Sequence, residues 1–326
     1  MPPFKSFDKS FARITGPDPE LQLLLQKDYP FAFEAGIYFP TSRELFVTSS
    51  PFDDAHGKTV HISKITLGSK NDGAHINQQV LPNGRIAMAN GGTKWGKEMI
   101  FCAQGSLALP SGLFAVSESP PHDQRLIVSD FYGRPFNSVN DVVVHSDGSI
   151  WFTDPAYGFG EGHRPRPRLP NQIYRYDPKN GAIRVVADGI AHPNGLCFSP
   201  DETIMYITDT DFVWGDGTED ESRASTIYAF DISLYSGQPF LTNRRVFAMA
   251  DTGYPDGIKC DSNGNVYSGC GDGVHVWSPG GVLLGKILVD GGVANLCFGG
   301  IGELFILNGT KLWRARLADS TQGALL

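Results

Sequence analysis

Four times along this chain an oxygen-bearing residue opens a strand-like apolar run, and a turn cluster follows seven residues later. The four stretches read Glu34-Ala-Gly-Ile-Tyr-Phe-Pro-Thr41, Asn140-Asp-Val-Val-Val-His-Ser-Asp147, Asn194-Gly-Leu-Cys-Phe-Ser-Pro-Asp201 and Asp256-Gly-Ile-Lys-Cys-Asp-Ser-Asn263. Each is followed by a second apolar run such as Ser149-Ile-Trp-Phe-Thr153. In a radially repeated fold, equivalent positions of different units converge on the central axis. Glu34, Asn140, Asn194 and Asp256 are therefore expected to meet, although 222 residues (256 − 34) separate the first from the last. Two carboxylates and two amide oxygens at one point suit a hard divalent cation.

The rest of the chain follows the same rhythm. Its 38 glycines and 22 prolines punctuate short alternating runs, and no long stretch has helical apolar periodicity, which predicts an all-β chain with many tight turns. Strand-pair signals fall at Phe33–Thr48, Met99–Ser117, Asn140–Asp154, Asn194–Asp209, Asp256–Ser268 and Asn295–Leu307. They predict a six-bladed β-propeller with four-stranded antiparallel blades. At 326 residues the chain exceeds the usual size of one core unless it is a repeat, so a single propeller over residues 1–326 is expected. About 30 residues form an N-terminal extension, in which Leu21–Leu25 is expected to complete the last blade and close the ring. The intervals from Asn140 to Asn194 (54 residues), Asn194 to Asp256 (62) and Asp256 to Asn295 (39) compare with ~40–45 for a four-stranded blade. The long intervals place insertions near Gly158–Pro170 and Asp211–Ser225, where loops would frame a site.

Composition narrows the partners. Lysine and arginine total 27 against 35 acidic residues, a net charge of −8 with no basic stripe, which argues against nucleic acid. The one basic stretch, Arg164-Pro-Arg-Pro-Arg168, reads as an extended solvated loop. No apolar run approaches the ~20 residues of a membrane span, and the N-terminus lacks the apolar centre of a secretory signal, so a soluble cytoplasmic protein without a membrane partner is expected. Cys102, Cys197, Cys260, Cys270 and Cys297 are odd in number, sit mostly in apolar runs and lack zinc-site spacing; reduced, buried thiols are expected.

Asn-Asp, Asn-Gly and Asp-Gly are ordinary turn dipeptides. Here, however, the hairpin turns are supplied seven residues later, at Asp147-Gly148 and Asn263-Gly264, so the polar residue opens a strand instead. The stretch from Arg134-Pro-Phe-Asn-Ser-Val-Asn140 through Trp151-Phe-Thr-Asp-Pro-Ala-Tyr-Gly158 resembles the signature of the senescence-marker-protein/gluconolactonase/luciferin-regenerating-enzyme family. So do His192-Pro-Asn-Gly-Leu-Cys-Phe-Ser-Pro-Asp201 and Tyr254-Pro-Asp-Gly-Ile258. The likeness runs from about Phe33 onward. It implies a six-bladed propeller with one axial divalent metal, usually calcium, and lactone hydrolysis as the commonest activity. Its metal ligands fall on Glu34, Asn140, Asn194 and Asp256, the positions already selected by the repeat. The chain departs from the pattern at Val139, where proline often precedes the second ligand, and in Phe33-Glu-Ala-Gly36, where Glu-Gly-Pro is more usual.

The expected chemistry is metal-dependent opening of a lactone or related cyclic ester. Calcium is the leading metal, with zinc, manganese and magnesium as alternatives. Asp256 is the expected general base and Glu34 mainly a charge-balancing ligand. The amides of Asn140 and Asn194 hold metal and substrate without taking the proton. Arg134 and Asn137 are candidates for binding a substrate carboxylate or hydroxyls, His192 for a place beside the ligands, and His56 for a lid or proton shuttle. Asp154 and Asp209 end their strands and read as turn caps. Two other readings use the same pocket: a non-hydrolytic cyclase or isomerase that positions a reactive substrate, and a metal-stabilised binding scaffold without catalysis.

Overall fold

The computed structural model describes residues 2–55, 57–68, 76–82 and 84–324. Its regular secondary structure is nearly all antiparallel sheet, arranged as six blades around an axis. Blade 1 comprises Glu34–Phe39, Glu44–Thr48, Ile62–Thr66 and Asn77–Val80, and blade 2 Ala89–Trp95, Glu98–Ala103, Gly112–Ser117 and Gln124–Val128. Blade 3 comprises Val142–Val144, Ile150–Asp154, Gln172–Asp177 and Ala182–Ala187, and blade 4 Pro193–Phe198, Ile204–Asp209, Thr226–Tyr235 and Gln238–Met249. Blade 5 comprises Ile258–Cys260, Val266–Cys270, Gly273–Trp277 and Leu283–Leu288, with Phe4–Ser6 added as a fifth, outermost strand.

Blade 6 is built from both ends of the chain. Its inner strands are Asn295–Phe298, Glu303–Asn308 and Lys311–Arg316, and its outer strand is Glu20–Gln26, paired antiparallel with Leu21 opposite Ala315 and Leu25 opposite Leu312. That strand closes the ring and covers what would be an open edge.

Strand alternation explains how so many short blades hold together. In Ile150–Asp154 the side chains of Ile150 and Phe152 enter the core shared with blade 2, through Ile100 and Leu113. Trp151, between them, points the other way, into the core shared with blade 4 through Leu196 and Ile207. Six such cores run around the ring, one between each pair of neighbouring blades, and Tyr38, Leu45 and Val47 of blade 1 meet Phe305, Leu307 and Leu312 of blade 6 in the last. A blade's inner two strands are consequently apolar on both faces, and the period-two signal is replaced by continuous apolar runs.

One strand signal needs correction. Met99–Ser117 covers the second and third strands of blade 2, whose innermost strand is Ala89–Trp95. That strand reads Ala-Asn-Gly-Gly-Thr-Lys-Trp and carries too little apolar surface to register as a strand. The arginine-rich loop also differs from its reading. Arg164 is buried, and its guanidinium donates to the carbonyls of Ser106, Leu109, Phe136 and Asn137. A basic side chain that finds four carbonyls in reach is better satisfied inside than a composition argument assumes. All five cysteines are buried and free. Among the described residues no helix is long and apolar enough to cross a membrane.

Deleting residues 1–26 removes Glu20–Gln26 together with the half-buried Leu21, Leu24 and Leu25 that pack into the two cores flanking blade 6. Burying such side chains contributes on the order of 1–2 kcal/mol each, so the truncated chain is expected to be insoluble or to melt well below the full one. A truncated protein that melts like the full chain would show that ring closure contributes nothing.

Candidate active site

The innermost strands begin at one end of the ring, and Glu34, Asn140, Asn194 and Asp256 stand within two residues of their first residues. Asn140 and Asp256 occupy the same slot in their blades. Each donates its backbone N–H to the end of the neighbouring strand, to Thr153 O at 2.9 Å and Gly269 O at 2.9 Å. Hydroxyls on the second strands bind the slot across blades, Thr153 Oγ1 to Asn194 O at 2.7 Å and Thr208 Oγ1 to Asp256 O at 3.0 Å. The backbone of each slot is thus fixed by the blade before it.

Directly after the slot comes a layer in which small residues leave room for large ones. Asp141 and Asn295 carry polar side chains, whereas Gly91 and Gly257 carry none. A Cβ at Gly91 would lie 2.5 Å from Asp141 Oδ1, and one at Gly257 2.3 Å from Asn295 Oδ1. Glycine is therefore required at both places by close approach. Asn295 uses the space to donate from Nδ2 to Glu34 Oε2 at 2.6 Å, linking blade 6 to blade 1. Asp141 accepts from the N–H of Val142 and, across to blade 4, of Leu196.

The electrostatics of this axis are unusual for a protein interior. Burial first, then the charges of Asp256 and Asp141, hold the Glu34 carboxyl well above its ordinary range, against the opposing bond from Asn295. Asp256 is pushed up to about 7 by burial and then by Asp141, and the Asn194 amide works the other way. Asp141 is itself raised by burial and partly rescued by the Lys259 ammonium. Three carboxylates against one ammonium leave two negative charges when all are ionised. Two oxygens in the cluster, Asn140 Oδ1 and Asp256 Oδ1, are buried with no hydrogen-bond partner. Buried polar atoms of native proteins are nearly always satisfied, so a pair of orphaned acceptors beside a surplus of negative charge fits a cation bound there. Among the described residues no three His, Cys, Asp or Glu side chains are placed to hold a metal by themselves. Such a cation would need the amide oxygens as well as the carboxylates.

The other candidates fall in different places. His192 lies beside the cluster, its Nδ1 2.9 Å from Asp211 Oδ1 and its ring stacked on Tyr157 at 5.2 Å. Asn137 is buried, but its amide is spent on the backbone of Leu169 and Pro170, so it anchors a loop. Arg134 is exposed on the hairpin Asp130–Pro135, with its guanidinium on the Arg168 carbonyl, outside the cluster. His56 lies outside the described residues. Asp154 and Asp209 do cap turns, and the turns they cap are those that lead into the slots. Asp154 accepts from the N–H groups of Asn137 and Ser138, and Asp209 from those of Ala191 and His192. Sequence reading missed Asp141, Lys259 and Tyr157 as neighbours of the site. A lysine in the third residue after Asp256, inside an otherwise apolar inner strand, was the one visible signal. A cavity of about 410 Å³ opens at the opposite end of the inner strands, lined by Tyr38, Lys94, His145, Lys259 and Cys297 among others, and contains none of the four slot residues.

The model described as the SMP-30/gluconolactonase/LRE-like region matches residues 54–309, a span that includes Asn140, Asn194 and Asp256 and begins after Glu34. This chain belongs to that family. It is 27% identical to the lactonohydrolase oryL of Aspergillus oryzae over 91% of this chain and 70% of that protein. It is 30% identical to a gluconolactonase of Zymomonas mobilis over 78% of this chain and 67% of that one. A gluconolactonase structure from Xanthomonas campestris superposes with a TM-score of 0.76 at 29% identity, covering 97% of this chain and 95% of the other.

The raised carboxyls have a consequence for stability. A carboxyl whose folded pKa lies above its unfolded value (about 4) binds protons more tightly in the folded state. Its contribution is therefore favourable at low pH and is lost as pH rises through the folded pKa. For Asp256 that window runs from about 4 to about 7. In the presence of chelator the melting temperature is expected to fall between about pH 4 and pH 7, and less steeply in Asp256→Asn. A flat or rising curve would contradict the burial of ionisable charge at the axis.

Proposed function

We propose that this chain hydrolyses a lactone or related cyclic ester at the axial cluster, with a divalent cation, calcium first among the choices, held by Glu34, Asn140, Asn194 and Asp256. The observation that carries the reading is the pair of orphaned buried oxygens, Asn140 Oδ1 and Asp256 Oδ1, in a cluster with two uncompensated negative charges. A divalent ion would bring that charge to zero. The names of the relatives supply the reaction class, since oryL and the Zymomonas and Xanthomonas proteins are all described as lactone-opening enzymes.

When bound, the cation would supply Lewis-acid polarisation of the ester carbonyl and stabilise the oxyanion that forms on it. The chain's own groups supply the remainder. The Asp256 carboxylate, ionised where it holds a cation, accepts the proton of the attacking water. Asn194, facing Asp256, favours the charged form of that carboxylate and fixes its orientation. Asn140 is neutral, cannot take the proton, and offers its oxygen without competing for it. Glu34, held by Asn295, contributes the second negative charge from the far side of the ring.

Acid release from a panel of γ- and δ-lactones, with calcium and with chelator, tests the reading. Activity should vanish with chelator and return with calcium, and protein purified without added metal should contain close to one divalent ion per chain. Asp256→Asn keeps size and one oxygen ligand but removes the base, and should lower kcat by roughly 10²–10⁴-fold at saturating calcium. A variant with near-wild-type turnover would exclude Asp256 as the base. Unchanged product formation in that variant and in Asn194→Asp would favour a positioning mechanism of the cyclase kind.

A further inference from the structure

We propose that the lactone taken by this site carries an apolar alkyl or aryl substituent, in place of the hydroxyls of a sugar lactone. This rests on the lactonase reading and deepens it by naming the substrate class. Two insertions meet beside the cluster and present aromatic rings to it. Tyr254, two residues before Asp256, lies 5.7 Å from the Phe212 ring. His192, two residues before Asn194, is stacked on Tyr157 and meets the edge of Trp214 at 5.3 Å. The loop carrying Phe159 backs directly onto the one carrying Trp214, because a Cβ at Gly160 would lie 3.1 Å from the Gly215 Cα. Trp214 is 43% exposed and Phe159 50% exposed, so both leave large apolar surfaces uncovered on these two loops. Exposed aromatic surface gathered at the rim of a site marks a place that an apolar group covers.

Several polar side chains of these loops are already engaged. Arg164 donates to four carbonyls, and the Asn137 amide holds the Leu169 and Pro170 backbone. Arg223 makes a two-pronged contact with Asp211 at 2.9 and 3.0 Å, and Asp211 also takes the His192 ring nitrogen at 2.9 Å. Of the buried polar atoms without a partner, Asn140 Oδ1 and Asp256 Oδ1 belong to the cluster that receives the ester group, and the ring nitrogens of His163 lie on the loop that carries Phe159. A polyhydroxylated ring held against these loops would recover few of the hydrogen bonds it gives up to water. An alkyl or aryl group gives up nothing and covers Trp214 and Phe159.

The test compares kcat/KM of the full chain with calcium for a series of δ-lactones bearing no substituent, ethyl, butyl or hexyl at the carbon next to the ring oxygen, and for glucono-δ-lactone. The value should rise by roughly fourfold per methylene until the wall is covered, and the best alkyl member should exceed the sugar lactone by about 100-fold. Trp214→Ala combined with Phe159→Ala should lower the advantage of the hexyl over the unsubstituted lactone by at least about tenfold, and Trp214→Phe should retain most of it. A flat series, or glucono-δ-lactone as the preferred substrate, overturns the proposal while leaving the lactonase reading intact. A second arm titrates 2-hexylcyclopentanone, which has no ester to open, against wild type and Trp214→Ala by calorimetry. If no lactone is opened but the ketone binds and loses affinity in the variant, the lactonase reading falls and the apolar wall stands. Failure of the ketone to bind wild type overturns the wall.

Discussion

Charge buried on the axis is the constraint that the remaining structure serves. Glu34, Asp141 and Asp256 enter one small volume with Lys259 as the single cation among them. Ionised carboxylates in an interior are costly unless paired or bonded. The chain meets that cost through backbone and neighbours: Asn295 on Glu34, two N–H groups on Asp141, and the Asn194 amide toward Asp256. All but the Val142 N–H come from a blade other than that of the carboxyl they serve. The charge cluster can therefore exist only when the ring is closed and in register, which ties folding of the propeller to formation of the site.

The same dependence explains the glycines that flank the slots. A repeat could have placed a side chain at every equivalent position of the layer after the slots, but six side chains would not fit around so narrow an axis. Gly91 yields its space to Asp141, and Gly257 yields its space to Asn295, which in turn holds Glu34. An alanine at Gly257 would thus act on Glu34 from two blades away. The carboxylates at the strand ends work from the outside inward in the same manner. Asp154 and Asp209 each bind two N–H groups of the segment leading to a slot, so the slot residues arrive with their backbone already fixed.

How much of this was legible in the sequence depended on whether the signal lay in a strand or between strands. The slots of blades 3, 4 and 5 were visible because a polar residue followed by an apolar run breaks the alternation that half-buried strands otherwise show, and the unit recurs. The inner strand of blade 2 was invisible because Asn90-Gly-Gly-Thr-Lys has neither apolar content nor branching, and only its pairing with Glu98–Ala103 makes it a strand. Arg164 was misread for a related reason. Its burial depends on carbonyls from Ser106 and Leu109 in another blade, and no local pattern reports a partner more than fifty residues away. Asn137 and Asp211 show the same limit, since what they bind decides whether they face a ligand or a loop.

That distinction also bears on how one scaffold comes to accept different lactones. The slot residues are set by the inner strands and are locked by neighbouring blades, so a change there disturbs charge balance, ring closure and chemistry together. The insertions between the second and third strands of blades 3 and 4 are under no such constraint. They are joined to the scaffold at points such as Ser138 to Pro155, His192 to Asp211 and Arg164 to the blade 2 loop, while Phe159 and Trp214 stay exposed. Substrate preference can therefore change through residues such as Phe159 and Trp214 without altering the axial cluster. Loops of this kind make membership in a family a good guide to chemistry and a poor guide to substrate.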